Sequence, residues 1–308
     1  MPDFTSLVSQ YMEFRAQRGY QPDSKVERLL TQFVATLPPA DDGLLFTRGQ
    51  ALAWAHAPTG AAPSWWSYRL STVRQFATYL AASGLPVAVP PANQGPAGPR
   101  RATPYLYSDA DVRALVHAAD ELFSPLRAAT MKTLTGLLAV TGMRIGEALR
   151  LTIGDLDLDD GVVIISQAKF GRQRIVLLDS TSCRAIAEYL NHPERYRVGL
   201  ATERPVFTTG KGTRVPESNA RGAFHAMTQH AGLSARPGAT PRPHDLRHAF
   251  ATQTMIEAYR AGRDPARTLT LLSVWLGHSD PADTYWYLQA APEVAAIAAR
   301  RLEEEQDS

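Results

Sequence analysis

The sequence predicts a mainly α-helical chain with one small β-sheet, an α+β fold in two domains, and three observations predict it. Apolar residues recur at helical spacing through most of the chain, beginning with Phe4, Leu7, Val8, Tyr11, Met12 and Phe14. From Leu85 to Pro104 the prolines Pro86, Pro90, Pro91, Pro96, Pro99 and Pro104 allow neither a helix nor a central strand, which reads as an extended linker. Residues 162–166 and 174–178 are β-branched runs on either side of a turn containing Gly171, a hairpin pattern.

Taken in order, residues 1–84 form an all-helical domain. After the first helix, a second is expected over 24–37, stopped by Pro38-Pro39, a third over 47–54 and a fourth over 64–82, stopped by Gly84. The fourth carries Arg69 and Arg74 beside Trp65, Trp66 and Tyr68. That mixture suits a helix lying on DNA, or a core helix whose arginines snorkel to solvent. The linker spans 85–104, and the second domain spans 105–308. Ser108-Asp-Ala-Asp111 has the layout of a capping box, so a helix starts there and runs to about Leu122. Further helices are expected over 126–140, 144–151, 181–190, 218–230, 243–260 and 268–276. A tail helix follows Pro292, with Val294, Ile297, Ala298 and Leu302 in one apolar stripe.

Composition sets limits on function. No run of about 18 apolar residues exists and the first twenty residues lack a signal-peptide core, so a cytoplasmic, nucleoid-associated protein is expected, without a membrane partner. Cys183 is the single cysteine, which rules out an internal disulfide. Net charge is +2, and the acidic tail with Glu303, Glu304, Glu305 and Asp307 leaves about +6 for the rest. Any DNA footprint is therefore a local patch and not a global field.

The chemistry concentrates in four places. Thr141-Gly-Met-Arg144-Ile-Gly-Glu147 offers an arginine with an acid three residues on, on the same helical face. Lys169 lies in the hairpin turn, with Arg172 and Arg174 after it. His244-Asp-Leu-Arg247 puts a histidine and an arginine on one face near a helix start. Leu276-Gly-His278 is followed nine residues later by Tyr287. Metal-free phosphodiester transfer needs fixed positive charge on the non-bridging oxygens, an acid for the leaving oxygen and a nucleophile held in line. Arginine suits the first task because its planar fork stays charged. His244 and His248 also imitate a zinc-binding helix, but Asp245 stands where a metalloprotease carries glutamate.

On these motifs the chain resembles the tyrosine recombinase (phage integrase) family, of the kind found in transposons and other mobile elements. The resemblance implies a helical core-binding (SAM-like) DNA-binding domain at 1–84 and a mixed α/β catalytic domain at 105–308, closing on DNA as a clamp. It implies a catalytic set of Arg144, Lys169, His244, Arg247, His278 and Tyr287, with Glu147 in support. In that set Tyr287 is the nucleophile and Lys169 the general acid for the 5′ oxygen. Arg69, Arg74, Arg100, Arg101, Arg172 and Arg174 are then candidate DNA contacts. No metal and no cofactor are implied. The partner is double-stranded DNA carrying paired recombination sites, bound by a homotetramer, with room for accessory DNA-bending proteins. The implied reaction is site-specific recombination through a 3′-phosphotyrosyl intermediate and a Holliday junction, for integration, excision or transposition. A type IB topoisomerase-like enzyme and a catalytically inactive DNA-binding regulator are the alternatives. Two departures from the family pattern stand out: a long segment from Glu257 to Thr270, and Asp283-Thr-Tyr-Trp-Tyr-Leu before and around the tyrosine.

Overall fold

The computed structural model describes residues 3–20, 22–38, 43–92, 103–166, 173–235 and 239–277. It divides into two compact units on either side of Arg101.

The first unit holds four helices, α1 (Phe4–Gln17), α2 (Ser24–Val34), α3 (Arg48–His56) and α4 (Pro63–Ala82). Local chemistry explains each start. Asp3 and Asp23 accept the first free N–H groups of α1 and α2, and Thr47 and Gln50 make a reciprocal capping box on α3. Pro63 occupies the first turn of α4, where no intrahelical donor is lost. The helices bury Leu30, Phe33, Phe46, Val73, Phe76 and Leu80, with Phe33 edge-on to both Phe46 and Trp54. Residues 85–89 do not behave as free linker. Leu45 donates to the Pro86 carbonyl at 2.8 Å, and Leu85, Val87 and Val89 pack on this core. Helix α2 ends at Val34, three residues short of the sequence expectation.

The second unit is built around α6 (Pro125–Thr141), whose Leu134, Leu137 and Leu138 are buried. Around it run α5 (Asp109–Ala118), α7 (Ile145–Arg150), α8 (Ser180–Leu190), the single turn α9 (Pro193–Tyr196), α10 (Glu217–His230), α11 (Pro243–Arg260) and α12 (Pro265–Leu276). The capping box at Ser108 and Asp111 forms, but α5 ends at Ala118 and passes into a 3-10 turn over Ala119–Glu121. Helix α12 starts at Pro265, earlier than expected, because Asp264 accepts the Ala266 N–H.

The sheet is antiparallel, with β1 (Leu156–Asp157), β2 (Val162–Ser166) and β3 (Gln173–Leu177) in that order. Ile164 faces Ile175 across the β2–β3 pair. Strand alternation turns Val163, Ile165 and Val176 into the core and leaves Ile164, Ile175 and Leu177 outward. Arg195 is fully buried and donates to the carbonyls of Val206, Gly199 and Pro205, so it holds the irregular segment before α10 in place. Nothing in the local pattern announced that role, and β1 and α9 are too short to register as periodicity.

One backbone position governs the end of α6. Gly142 takes a left-handed conformation, φ +64°, and a Cβ there would lie 2.5 Å from Phe250 Cδ1 and 3.0 Å from Leu276 Cδ2. Gly142→Ala combines a left-handed backbone with overpacking, so it should cost about 2–4 kcal/mol, read as a lower midpoint in chemical denaturation. A midpoint equal to that of the unaltered protein would show that this end of α6 is not constrained as described.

Candidate active site

Helices α6 and α12 both end in a left-handed glycine, Gly142 and Gly277. A helix leaves its last carbonyls without internal partners and presents the negative end of its dipole there. Arg247, on the first turns of α11 and only 1% exposed, serves both ends. Its Nη1 donates to the Gly142 carbonyl at 2.9 Å and its Nη2 to the Leu276 carbonyl at 2.8 Å. The Trp275 indole Nε1 donates to the Thr141 carbonyl at 2.9 Å, and Arg174 Nε donates to the Trp275 carbonyl at 2.8 Å. Three bonds thus join the ends of α6 and α12 to α11 and β3, and a fourth joins the two ends to each other.

The other edge of Arg174 reaches Glu147, with Nη2 to Oε2 at 2.7 Å and Nη1 to Oε1 at 3.2 Å. Glu147 also accepts from Arg144 twice: from Nη1 at 2.8 Å and from the backbone N–H at 2.9 Å. Burial on its own would raise this carboxyl, but the hydrogen bonds and charge of Arg174, with Arg144, outweigh it and bring it down to about 2. The arrangement leaves Arg144 anchored at its base and open at its tip. Its side chain is 42% exposed while that of Glu147 is 4% exposed.

The same device recurs at the start of α11. Asp245, fully buried, accepts the Arg242 backbone N–H at 3.1 Å, Arg242 Nε at 3.0 Å and Arg242 Nη2 at 2.8 Å. Tyr107 donates its hydroxyl to the Arg242 carbonyl at 3.2 Å; burial, then the charge of Asp245, holds that phenol above its ordinary value and so protonated. Between these two anchors His244 lies on the exposed side of α11, edge-on to the His248 ring with centroids 4.9 Å apart. Partial desolvation lowers the His244 imidazole, and the positive charges of Arg247, Arg144 and Arg242 lower it further against the pull of Asp245. A neutral imidazole beside several guanidinium groups can accept a proton or bind phosphate without adding to the charge that must be held together. Among the described residues, no group of three or more His, Cys, Asp or Glu is placed to hold a metal.

The structure therefore brings Arg144, Glu147, His244 and Arg247 together. Lys169, His278 and Tyr287, with the expected contacts Arg100, Arg101 and Arg172, lie outside the described residues, as does the tail helix. Two expected DNA contacts are corrected. Arg174, with a side chain 9% exposed, is committed to Glu147 and Trp275 and so belongs to the frame of the site. Arg69 is buried; its Nη2 donates to the Trp54 carbonyl at 2.6 Å and its guanidinium carbon sits 3.6 Å from the centre of the Trp54 ring. Of the two readings left open for that helix, packing accounts for Arg69. Arg74 is half-buried on α4. Sequence reasoning missed Arg242, Asp245 and Trp275, although Arg242 and Asp245 have the same arginine-to-acid spacing as Arg144 and Glu147.

Glu147 gives a pH-dependent prediction. Its folded value near 2 lies below the ordinary 4.5, so its contribution is complete above pH 4.5 and is lost as pH falls towards 2. The shift corresponds to about 3 kcal/mol. Glu147→Gln should lose about that much at pH 7, with the gap to the unaltered protein closing between about pH 5 and pH 2. A gap that is constant with pH would show that the carboxylate is not held ionised by its arginines.

Comparison with known proteins accords with this arrangement. The family model described as Phage integrase family matches residues 106–293. The putative integrase/recombinase y4rB of Sinorhizobium fredii (strain NBRC 101917 / NGR234) is 40% identical over 309 residues, covering 98% of each chain. Among solved structures, a lambda integrase tetramer bound to a Holliday junction matches with a TM-score of 0.61 at 18% identity, over 92% of this chain and 76% of that one. The Tn1549 transposon integrase in complex with a circular intermediate DNA matches with a TM-score of 0.63 at 16% identity, over 93% and 95%. At such identity the two structures show a shared fold. The match of the family model to more than half of the sequence, and of y4rB to nearly all of it, settles the family: this chain belongs to the phage integrase family, the tyrosine recombinases, enzymes that cut and rejoin DNA.

Proposed function

We propose that this chain is the site-specific recombinase of a mobile element, joining and separating paired DNA sites through a 3′-phosphotyrosyl intermediate and a Holliday junction. The observation that carries the proposal is the partly exposed Arg144 side chain, held on a buried and ionised Glu147 and near enough to His244, with Arg247, for its charge to be felt there. A preorganised cation of this kind stabilises charge that develops on the non-bridging oxygens of a phosphodiester at no cost in reorganisation. Arg247 adds buried positive charge that is felt at His244. The hydroxyl oxygen of Tyr287 attacks phosphorus, the 5′ oxygen leaves with a proton from Lys169, and His244 and His278 assist in proton transfer and phosphate binding. A phenol with a pKa of about 10 attacks poorly until neighbouring cations stabilise its anion, which is the second use of the arginine cluster. The reverse step, attack by a 5′ hydroxyl on the phosphotyrosine, rejoins the strands.

The mobile-element assignment draws support from the likeness to y4rB and to the Tn1549 integrase. The tetramer on paired sites draws support from the lambda integrase assembly, which its description places on a Holliday junction. In this reading the first unit contributes duplex contacts, Arg74 among them, and Arg100, Arg101 and Arg172 add phosphate contacts near the second. The similarity to y4rB along the whole length makes a topoisomerase or an inactive regulator the poorer account.

Two outcomes are expected on a nicked duplex drawn from DNA flanking the coding sequence. Tyr287→Phe should retain binding yet form no covalent protein–DNA adduct in denaturing gels. Adducts that persist in Tyr287→Phe and vanish in Tyr285→Phe would reassign the nucleophile. With sulfur in place of the 5′ bridging oxygen, a much better leaving group, cleavage by Lys169→Ala should largely recover while that by Arg144→Ala does not. Equal recovery in both would remove the division between acid and phosphate clamp.

A further inference from the structure

The starts of α7 and α11 are two copies of one construction. In each, an arginine precedes the helix and an acid three residues on accepts both its backbone N–H and its guanidinium. In each the acid is buried and the arginine side chain is 42% exposed. An arginine that serves only to neutralise a buried carboxylate has no need to keep so much of its guanidinium in solvent. Arg242 places Nε and Nη2 on Asp245, which turns the Nη1 edge of the planar fork away from the carboxylate. Among the described residues, Nη1 has no hydrogen-bond partner. The carbonyl of Arg242 is fixed as well, by the Tyr107 hydroxyl, so the guanidinium is tethered at both its backbone and its inner edge.

We infer that Arg242 is a further DNA-binding residue, whose outer edge takes a non-bridging oxygen of the backbone phosphate adjacent to the one bound at Arg144 and His244. The inference rests on the reading of Arg144 and His244 given above. Each of the two tethered guanidinium groups loses little ordering entropy on meeting a phosphate, because its inner edge is already bound. Asp245 then has two duties: it caps α11 and it aims Arg242, as Glu147 caps α7 and aims Arg144.

The test separates a phosphate contact from a counter-ion. Arg242→Gln combined with Asp245→Asn removes the ion pair with no change in net charge, so a change in DNA binding cannot come from the overall field. The probe is a fluorescently labelled duplex of about 30 base pairs and mixed sequence, titrated over a range of salt concentrations. The expected result is a slope of log affinity against log salt that is shallower by about 0.9, with affinity several-fold lower at moderate salt, in a protein that melts cooperatively. Asp245→Asn alone keeps the Arg242 charge but loosens its aim, so it should lower affinity without making the slope shallower. An unchanged slope in the folded double variant, or an equal loss of slope in Asp245→Asn alone, would overturn the inference and leave Arg242 as a counter-ion. Should the amide pair fail to fold, Arg242→Met with Asp245→Leu replaces the ion pair by apolar side chains and is read in the same way. Failure of the unaltered protein to form an adduct at Tyr287 would instead count against the recombinase reading, and it leaves the salt slope untouched.

Discussion

The contact on which the rest of this site depends is the fork of Arg247 across two helix ends. Carbonyls at the C-termini of α6 and α12 have no partners within their own helices, and bringing two such ends together buries unsatisfied acceptors of like partial charge. A guanidinium, planar and always charged, can donate to both at once. Arg247 does so at Gly142 and Leu276, and Arg174 adds the neighbouring carbonyl of Trp275. Glycine at both caps lets the chain turn away at once, and at Gly142 the close approach of Phe250 and Leu276 leaves no room for a side chain. Without these arginines the two ends would repel each other, and the start of α7 would lose its anchor.

This frame explains how an exposed arginine can be exact in position. Arg174 bridges the α12 end and Glu147, so the carboxylate that aims Arg144 is itself fixed from the opposite side. A cation on a long flexible side chain ordinarily loses entropy each time it engages an anion. Here that loss has been taken in folding. The charges alternate in sign from Arg174 to Glu147 to Arg144, so the buried Glu147 carboxylate has a cation on each side. His244 belongs to the same assembly, and its depressed basicity follows first from desolvation and then from the cations around it.

The sequence made much of this legible, and the parts it hid share a cause. Helix starts were readable because capping is local: Ser108 with Asp111, and Arg144 with Glu147, lie within four residues of each other. Arg144, His244 and Arg247 were found because family motifs bring them together on helix starts. Arg174 was misread as a DNA contact because its partners lie 27 and 101 residues away, and an arginine in a hairpin looks the same whether it faces solvent or a buried acid. Arg69 was misread for a similar reason, since aromatic neighbours in sequence suggested a nucleic-acid surface while the side chain turns inward to Trp54. Arg242 has its acid partner only three residues on, but an arginine just before a helix reads as an ordinary surface residue unless the burial of that acid is known. Arg195, with three carbonyl partners in an irregular segment, leaves no periodic trace at all.

The central claim is that Arg247 couples the end of α6, the end of α12 and, through them, the seat of Arg144. Native-state hydrogen exchange on Arg247→Met tests it most directly. If the account holds, amides in α12 and across residues 138–147 lose protection together, each by about tenfold or more, while α5 and α8 keep theirs. Protection lost only along α11, or unchanged at both helix ends, would contradict it.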